Sequence, residues 1–182
     1  MKGISPLSLF FLLAVVIFAC SCSQAPVAGE GEKQADNEEV SPERIPVFAN
    51  FDDMAYLFRQ QTDSVYVINF WATWCKPCVA EMPYFQRLGE EMAGEKVKII
   101  LVSLDFEEHI ESKLLPFLEK NKLPGEVLVL TDPNANEWID KVSPEWGGAI
   151  PVTMVYKKDQ SKFVSRAFSG YEELEAAVKS LL

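Results

Sequence analysis

The sequence predicts an α/β domain with a central, mixed β-sheet and helices on its faces. Short apolar runs rich in β-branched and aromatic residues, typical of buried strands, alternate with segments whose apolar residues recur at helical spacing. Helices placed between buried strands indicate a mostly parallel sheet. Two strands near the C terminus are joined by a short polar link, which indicates an antiparallel hairpin and therefore a mixed sheet.

The first half of this domain contains two predicted helices and two predicted strands. Asn50 can cap a helix whose apolar residues recur at helical spacing as far as Phe58. Residues 65–70 form a β-branched and aromatic run, as expected of a buried strand, and residues 97–104 form a second such run. Between these strands, the apolar spacing predicts a helix that begins near residue 75 and ends near residue 94.

The second half continues the alternation and closes on a helix. The predicted elements are, in order, a helix over 114–118 ending near 123–125, a strand at 126–130, a short helix at 135–142, strands at 152–156 and 163–168 joined by a turn at 157–162, and an amphipathic helix at 171–182. A single domain over residues 45–182 accommodates all of these elements.

Length and composition agree with one domain and argue against a nucleic-acid-binding protein. The chain has 182 residues, 48% of them hydrophobic, which suffices for one buried core with short extensions. Its formal net charge is −10, so it offers no basic stripe that could neutralise phosphates. The excess of acidic residues is interpreted as an ordinary, well-solvated surface.

The N-terminal residues are predicted to lie outside the fold. Residues 1–22 have a basic start, an apolar run and small residues before a cysteine, which indicates a secretory signal. The residues before Cys20 resemble a bacterial lipobox, so Cys20 is the expected lipid-attachment site, with Cys22 as a second candidate. The alternatives are a plain signal peptide cut near residue 19 and a poor membrane anchor. Residues 23–44 lack an apolar period and are interpreted as a flexible tether.

The four cysteines fall into two local pairs, of which only Cys75 and Cys78 lie in the predicted domain. A disulfide between them closes a small loop and adds little stability, so the pair is interpreted as chemical rather than structural. Cys75 would lie at a helix N terminus, where free N–H groups and the helix dipole favour an anion. We therefore expect the pKa of Cys75 to lie below the value of about 8.5 for a free thiol.

A zinc site and a purely structural disulfide are the alternatives for this pair. Zinc takes about four ligands in its structural sites, whereas the predicted domain offers Cys75, Cys78 and His109 as its soft ligands. We therefore predict no metal and no other cofactor. His109 is interpreted as an ordinary surface residue.

The string Trp71-Ala72-Thr73-Trp74-Cys75-Lys76-Pro77-Cys78, followed by Glu81-Met82-Pro83, resembles the thioredoxin superfamily, and its membrane-tethered, TlpA/ResA-like extracytoplasmic branch in particular. The resemblance covers most of residues 45–182. It implies a thioredoxin-like fold and a thiol–disulfide oxidoreductase in which Cys75 attacks and Cys78 resolves. It also implies that Ile150-Pro151 is the family's cis-proline loop, which faces the cysteines and pairs with an incoming peptide.

The same resemblance suggests roles for residues around the cysteines. Cytoplasmic thioredoxins carry a buried Asp where this chain has Asn69, whereas the TlpA/ResA-like branch has a Glu at the position of Glu81. Glu81 is therefore the expected proton acceptor for Cys78, with an exposed helical Glu as the alternative. Trp74 is expected to shield the site and contact substrate. Lys76 could favour the thiolate, and Trp146 could border the site.

The functional prediction is a reductase of disulfides in exported proteins, such as apocytochrome c, in the setting of cytochrome c maturation. Its expected partners are these substrates and a membrane electron donor, with no nucleic acid. The expected protein is a monomer, lipid-anchored on the periplasmic side of a bacterial membrane. The alternatives are a thiol peroxidase, whose usual Pro-x-x-x-Thr-x-x-Cys setting this chain lacks, and a copper carrier of the Sco type, for which His109 is a poor ligand.

Overall fold

A computed structural model describes residues 45–182 of the chain. They form a six-stranded sheet in the order β1-β4-β3-β2-β5-β6. The strands are β1 (Val47–Phe48), β2 (Val65–Trp71), β3 (Val97–Ser103), β4 (Glu126–Leu130), β5 (Val152–Lys157) and β6 (Gln160–Val164). The helices are α1 (Lys76–Glu91), α2 (Leu115–Asn121), α3 (Ala135–Val142) and α4 (Tyr171–Lys179).

The sheet is mixed, as the sequence predicts. Strands β1, β4, β3 and β2 are mutually parallel, whereas β5 runs antiparallel to β2 and β6 antiparallel to β5. Parallel neighbours need a crossover connection, and α1 supplies the one between β2 and β3. The carboxyl ends of β2 and β3 therefore meet at the same edge of the sheet, where Trp71 pairs with Ser103.

Each face of the sheet has its own apolar core, because alternate residues of β2 point to opposite faces. Val65, Val67 and Trp71 pack in one core with residues of α1 and α4. Tyr66, Ile68 and Phe70 pack in the other, which includes residues of α3 and of the segment 51–57. Asn69 shares the alternation of Val67 and Trp71, so its polar side chain points to the α1 face.

The segment after Asn50 differs from the predicted helix. Two short 3-10 helices, Phe51–Asp53 and Ala55–Phe58, replace it. Asn50 does cap the first of them, since its side chain accepts a hydrogen bond from the N–H of Asp52 at 2.9 Å. The buried residues Phe51, Met54 and Leu57 are spaced three apart, which matches the three residues per turn of a 3-10 helix.

The C-terminal hairpin is tighter than predicted. Its turn consists of Lys158 and Asp159, with Lys158 in the left-handed region at φ 55°, and β6 ends at Val164 rather than near residue 168. β6 is an edge strand with polar, exposed residues at its start, so the apolar pattern did not locate it. Residues 165–168 leave the sheet and bring Phe168 into the core beneath α1, where its ring meets that of Phe85.

Two smaller differences concern chain segments that the apolar pattern did not separate. Strand β1 is only two residues long and was not predicted. A π-helix, Ile110–Leu114, precedes α2 where the sequence predicts one helix. The predicted signal peptide, with Cys20 and Cys22, and the predicted tether lie outside the described residues.

Candidate active site

Cys75 and Cys78 are joined by a disulfide at the start of α1. Three residues connect the end of β2 to Cys75, which is the N-cap of α1, and Pro77 occupies its first turn. The N–H of Cys78 points to the Cys75 sulfur at 3.3 Å. Cys75 is 6% exposed and Cys78 is fully buried. Cys78 therefore lies deeper in the fold than Cys75.

The loop before β5 faces the disulfide. The Ile150–Pro151 peptide bond is cis, as predicted, and the carbonyl oxygen of Ile150 lies 3.7 Å from the Cys75 sulfur. Pro151 is buried and Ile150 is half-buried. The backbone of Ile150 is thus beside the sulfur that an incoming disulfide would meet first.

Trp146 contacts the residues that precede the Ile150–Pro151 loop. Its indole N–H donates to the carbonyl of Ala149 at 2.8 Å, and its ring packs on Phe70 of β2 with centroids 4.7 Å apart. The side chain is buried. Trp146 therefore does not line the surface of the site but holds the residues that precede Pro151.

Glu81 lies on α1, one turn after Cys78, and is 1% exposed. Its two carboxylate oxygens accept hydrogen bonds from the Nδ2 of Asn69 at 3.0 Å and from the N–H of Phe168 at 2.9 Å. Burial raises the pKa of Glu81 to about 7, although both hydrogen bonds act in the opposite direction. Glu81 is accordingly a buried carboxyl group, and not the exposed helical residue considered as an alternative.

Asn69 links Glu81 to β5. Its Nδ2 also donates to the hydroxyl of Thr153 at 2.9 Å, while its Oδ1 is buried with no hydrogen-bond partner among the described residues. The two donors to the Glu81 carboxylate, the Asn69 amide and the Phe168 N–H, are both neutral. Within residues 45–182, no cation is among the groups that act on the Glu81 carboxyl.

A second buried carboxylate, Asp105, fixes the segment that leads to Cys75. Asp105 accepts from the N–H of Thr73 at 3.0 Å, from the Thr73 hydroxyl and from the Ser103 hydroxyl at 2.8 Å. The N–H of Leu104 donates to the carbonyl of Trp71 at 2.8 Å. These contacts attach the end of β3 to the connection between β2 and α1.

Trp74 is half-exposed. Its ring stacks on that of Phe106, and Phe106 meets the ring of His109 edge-on at 5.9 Å. Lys76, the first residue of α1, is exposed. His109 is half-buried, so it is not the plain surface residue that the sequence predicts.

Residues 45–182 contain neither a candidate metal-binding cluster nor a candidate membrane-spanning helix. No group of three or more His, Cys, Asp and Glu side chains within that range is placed to hold a metal ion. None of the helices over the same stretch has the length and apolar character needed to cross a membrane.

Sequence reasoning missed three residues that shape this site. Asp105 follows the end of a buried strand two residues after Ser103, a spacing that suits a side chain–backbone turn and could have been noticed. Thr153 and Phe168 carry no such signal. Thr153 reaches Asn69 only through the antiparallel pairing of β5 with β2, and Phe168 contributes a backbone N–H that any residue would provide.

Comparison with known proteins gives matches of three kinds: a family model, a sequence relative and solved structures. The family model described as AhpC/TSA family matches residues 48–164, well over half of the chain. A 49-residue segment is 49% identical to the thiol-disulfide oxidoreductase ResA of Oceanobacillus iheyensis, covering 27% of this chain and 26% of that relative. The match thus spans about a quarter of that relative's length.

Two solved structures share the fold. A thiol:disulfide interchange protein from Chlorobium tepidum aligns with a TM-score of 0.54 and 18% identity, over 65% of this chain and 80% of that one. A thioredoxin-related protein from Neisseria meningitidis aligns with a TM-score of 0.52 and 23% identity, over 64% of this chain and 84% of that one. The predicted thioredoxin-like fold is therefore confirmed.

Proposed function

This chain belongs to the AhpC/TSA family, and from that premise we propose that its folded domain is a thiol–disulfide oxidoreductase that reduces disulfides in exported proteins. The observation that carries the proposal is the Cys75–Cys78 disulfide at the N terminus of α1, beside the backbone of Ile150. The segments identical to relatives are short, so the activity rests on this geometry more than on their names.

The reaction is a two-step exchange that moves two electrons from the dithiol to the substrate. The Cys75 thiolate attacks one sulfur of the substrate disulfide, which forms a mixed disulfide and releases one substrate thiolate. Cys78 then loses its proton and attacks the Cys75 sulfur, which forms the Cys75–Cys78 disulfide and releases the second substrate thiolate. Protons from the two enzyme thiols balance the two thiols of the product.

Accessibility and electrostatics support the attacking role proposed for Cys75. It is the cysteine with solvent exposure, and it caps α1, so the N–H of Cys78 and the helix dipole stabilise its thiolate. Cys78 is fully buried, which suits a group that reacts only with Cys75.

Glu81 is proposed as the acceptor of the Cys78 proton. A group transfers protons best when its pKa is near the working pH, and burial raises the pKa of Glu81 to about 7. It lies three residues after Cys78 on the same helix, so both side chains point to the same face of α1.

The substrate segment is proposed to pass between the cis-proline loop and Trp74. Ile150 offers backbone groups for pairing with an extended chain, and Pro151 keeps that backbone beside the Cys75 sulfur. Trp74 immediately precedes Cys75 in the sequence, and half of its surface is exposed and free to contact substrate.

A trapping experiment tests the assignment of roles. The Cys78→Ser variant should accumulate a mixed disulfide with disulfide-containing substrates such as intact insulin, because the resolving thiol is absent. Cys75→Ser should accumulate none. Mixed disulfides are counted by non-reducing electrophoresis and mass spectrometry. Equal trapping by both variants would contradict the assignment.

The reducing direction is proposed from the residues around Cys75. The helix N terminus and Lys76 favour the thiolate and therefore the reduced form, which raises the reduction potential. Glu81 disfavours a second negative charge beside it, which lowers the potential. We expect a potential of about −200 to −270 mV, nearer to thioredoxin than to the oxidant DsbA. A glutathione redox titration measures it, and a value near about −120 mV would overturn the reductase direction. Peroxide turnover or copper binding in parallel assays would favour the alternatives instead.

An extracytoplasmic location and a lipid anchor on Cys20 complete the proposal. They are supported by the apolar run and small residues before Cys20 in the sequence. A membrane-associated electron donor is the partner this location calls for. Palmitate labelling of the wild-type protein that disappears in Cys20→Ser supports the anchor, and labelling that persists shifts it to Cys22.

A further inference from the structure

Two aromatic rings beside the disulfide are exposed although they contact each other. Trp74 is 50% and Phe106 57% exposed, and their rings stack with centroids 6.2 Å apart and planes 19° apart. We call this pair the aromatic patch. Large rings left in water are costly unless something covers them during function. Trp74 directly precedes Cys75, so a partner bound on the patch lies next to a residue that forms the disulfide.

The aromatic patch is held in place before any partner arrives. The buried carboxylate of Asp105, directly before Phe106, binds the backbone N–H and hydroxyl of Thr73, directly before Trp74. Trp74 and Phe106 thus each lie three residues beyond the ends of two paired strands, and the rings of Phe106 and His109 meet edge to face. A rigid surface loses less entropy when it binds a partner than a mobile one does.

An acidic segment borders the aromatic patch. Glu107, Glu108 and Glu111 follow Phe106 within five residues and are all exposed. None of the ion pairs found among residues 45–182 includes any of these three glutamates. Exposed charges of one sign attract segments of the opposite sign and accelerate their encounter with the site.

We propose that the aromatic patch and the acidic segment dock an unfolded polypeptide that carries an apolar side chain near its reacting cysteine and lysine or arginine beyond it. This inference rests on the proposed function and specifies its substrate class. An extended chain advances about 3.3 Å per residue, so a side chain two to four residues from a cysteine held at Cys75 can reach the aromatic patch.

The negative charge of the acidic segment argues against two other occupants of this surface. Residues 23–44 of this chain contain six acidic and two basic residues, so they do not complement the acidic segment. A second copy of the protein would bring its own acidic segment to the contact, and like charges disfavour that arrangement. A basic unfolded polypeptide matches both the apolar and the charged parts of the surface.

The test compares three synthetic peptides that share one intramolecular disulfide ring. They differ in the flanking residues, which are Phe-Lys-Lys, Ala-Lys-Lys or Phe-Glu-Glu. The readout is the second-order rate constant for their reduction by the pre-reduced, full-length protein in single-turnover stopped flow. The wild type should reduce the Phe-Lys-Lys peptide about tenfold faster than either other peptide, equivalent to ~1.4 kcal/mol.

Matched variants locate the preference. Phe106→Ala should abolish the advantage of Phe over Ala in the peptide. Tyr56→Ala should retain it, because Tyr56 is equally exposed at 54% but is distant in sequence from the cysteines and in no ring contact with Trp74. Loss of the preference in both variants, or in neither, would overturn the assignment to the aromatic patch.

A second pair of matched variants tests the role of the acidic segment. Replacing Glu107, Glu108 and Glu111 by Gln should abolish the advantage of Lys over Glu, as should high salt. Replacing three other exposed glutamates by Gln changes the net charge equally and should not abolish it; these are Glu90, Glu95 and Glu126. Equal rate constants for all peptides would overturn the docking surface and leave the proposed function standing, whereas no reduction of any peptide would overturn both.

Discussion

Two neighbouring backbone amides, those of Phe168 and Ser169, each donate a hydrogen bond to a carboxylate, yet the two carboxylates have opposite pKa shifts. The N–H of Phe168 donates to Glu81 at 2.9 Å and the N–H of Ser169 to Glu173 at 2.8 Å. The pKa of Glu81 is raised to about 7, whereas that of Glu173 is lowered to about 2.

The surroundings of the two groups explain the difference. Burial is the largest influence on Glu81, whose donors, Asn69 and Phe168, are both neutral. Hydrogen bonding from Arg166 is the largest influence on Glu173, followed by the backbone and hydroxyl of Ser169. Arg166 donates to both carboxylate oxygens of Glu173, at 3.2 and 2.6 Å. A backbone hydrogen bond alone therefore does not keep a carboxyl group ionised when the group is buried without a cation.

This contrast separates a group suited to chemistry from one suited to structure. Glu81 gains and loses a proton near neutral pH beside the proposed redox pair. Glu173, a residue of α4, stays ionised at all ordinary pH values. Its carboxylate accepts a hydrogen bond from the Ser169 hydroxyl and so holds the segment that leads into α4. Three predictions test the contrast.

The largest expected effect is on the pH dependence of stability. Because the pKa of Glu81 is raised from 4.5 to about 7 on folding, the folded protein binds a proton there that the unfolded chain releases. The stabilisation is complete below pH 4.5 and is lost as the pH rises through about 7. The loss should reach ~3 kcal/mol at most, measured by urea unfolding of the disulfide-bonded protein.

The control for this prediction is Glu81→Gln, whose side chain does not titrate. The difference in free energy of unfolding between wild type and Glu81→Gln should change in that pH window and be flat outside it. A difference that is constant from pH 4 to pH 8 would show that Glu81 titrates in the folded protein as it does in the unfolded chain.

The second effect is on the rate of disulfide reduction. If Glu81 accepts the Cys78 proton, Glu81→Gln should lower the rate constant for insulin reduction at pH 8 by about a hundredfold. The gap should narrow at pH 5, where Glu81 of the wild type is already protonated. A purely structural role would give a gap that does not depend on pH.

Glu173→Gln is the matched variant for the rate measurement. It removes a carboxylate that accepts a hydrogen bond from the adjacent residue of the same segment, but this carboxylate does not titrate near neutral pH. We expect its rate constant to stay close to that of the wild type from pH 5 to pH 8. A loss similar to that of Glu81→Gln would mean that the position of residues 168–169, and not the proton on Glu81, sets the rate.

The smallest effect is on stability at the Glu173 site. Its lowered pKa means that the stabilisation is present above pH 4.5 and is lost as the pH falls toward about 2. Because the pair with Arg166 is exposed to solvent, Glu173→Gln should lower the free energy of unfolding at pH 7 by only ~1 kcal/mol or less, and less still in high salt. A pH trend in the same direction as that of Glu81 would break the contrast.

The part of the site that could be predicted from the sequence is the part set by local order along the chain. Cys75 and Cys78 are three residues apart at a helix start, so their relation to each other and to the helix dipole follows from spacing alone. The family resemblance identified Ile150 and Pro151, because they directly precede a predicted strand as the family's cis-proline loop does. The hairpin after them was misplaced, since polar residues of an edge strand carry no apolar pattern.

Glu81 shows where such reasoning stops. The motif identified it as a candidate, but its burial and its two donors depend on segments more than ten residues away. The same holds for Asp105, which reaches Thr73 across 32 residues because β2 and β3 pair in parallel. Contacts of this kind leave almost no trace in the spacing of residues.

The sequence by itself therefore determined the α/β alternation and the redox pair, because periodicity and short motifs report the local environment of each residue, and the family resemblance implied the cis-proline loop. Only the tertiary structure decided that Glu81 has a pKa near 7 rather than near that of Glu173, and that Trp74 and Phe106 stack in solvent beside Cys75. The physical reason is that desolvation and ring contact depend on which distant segments the sheet pairing brings together, and that pairing is a property of the whole fold.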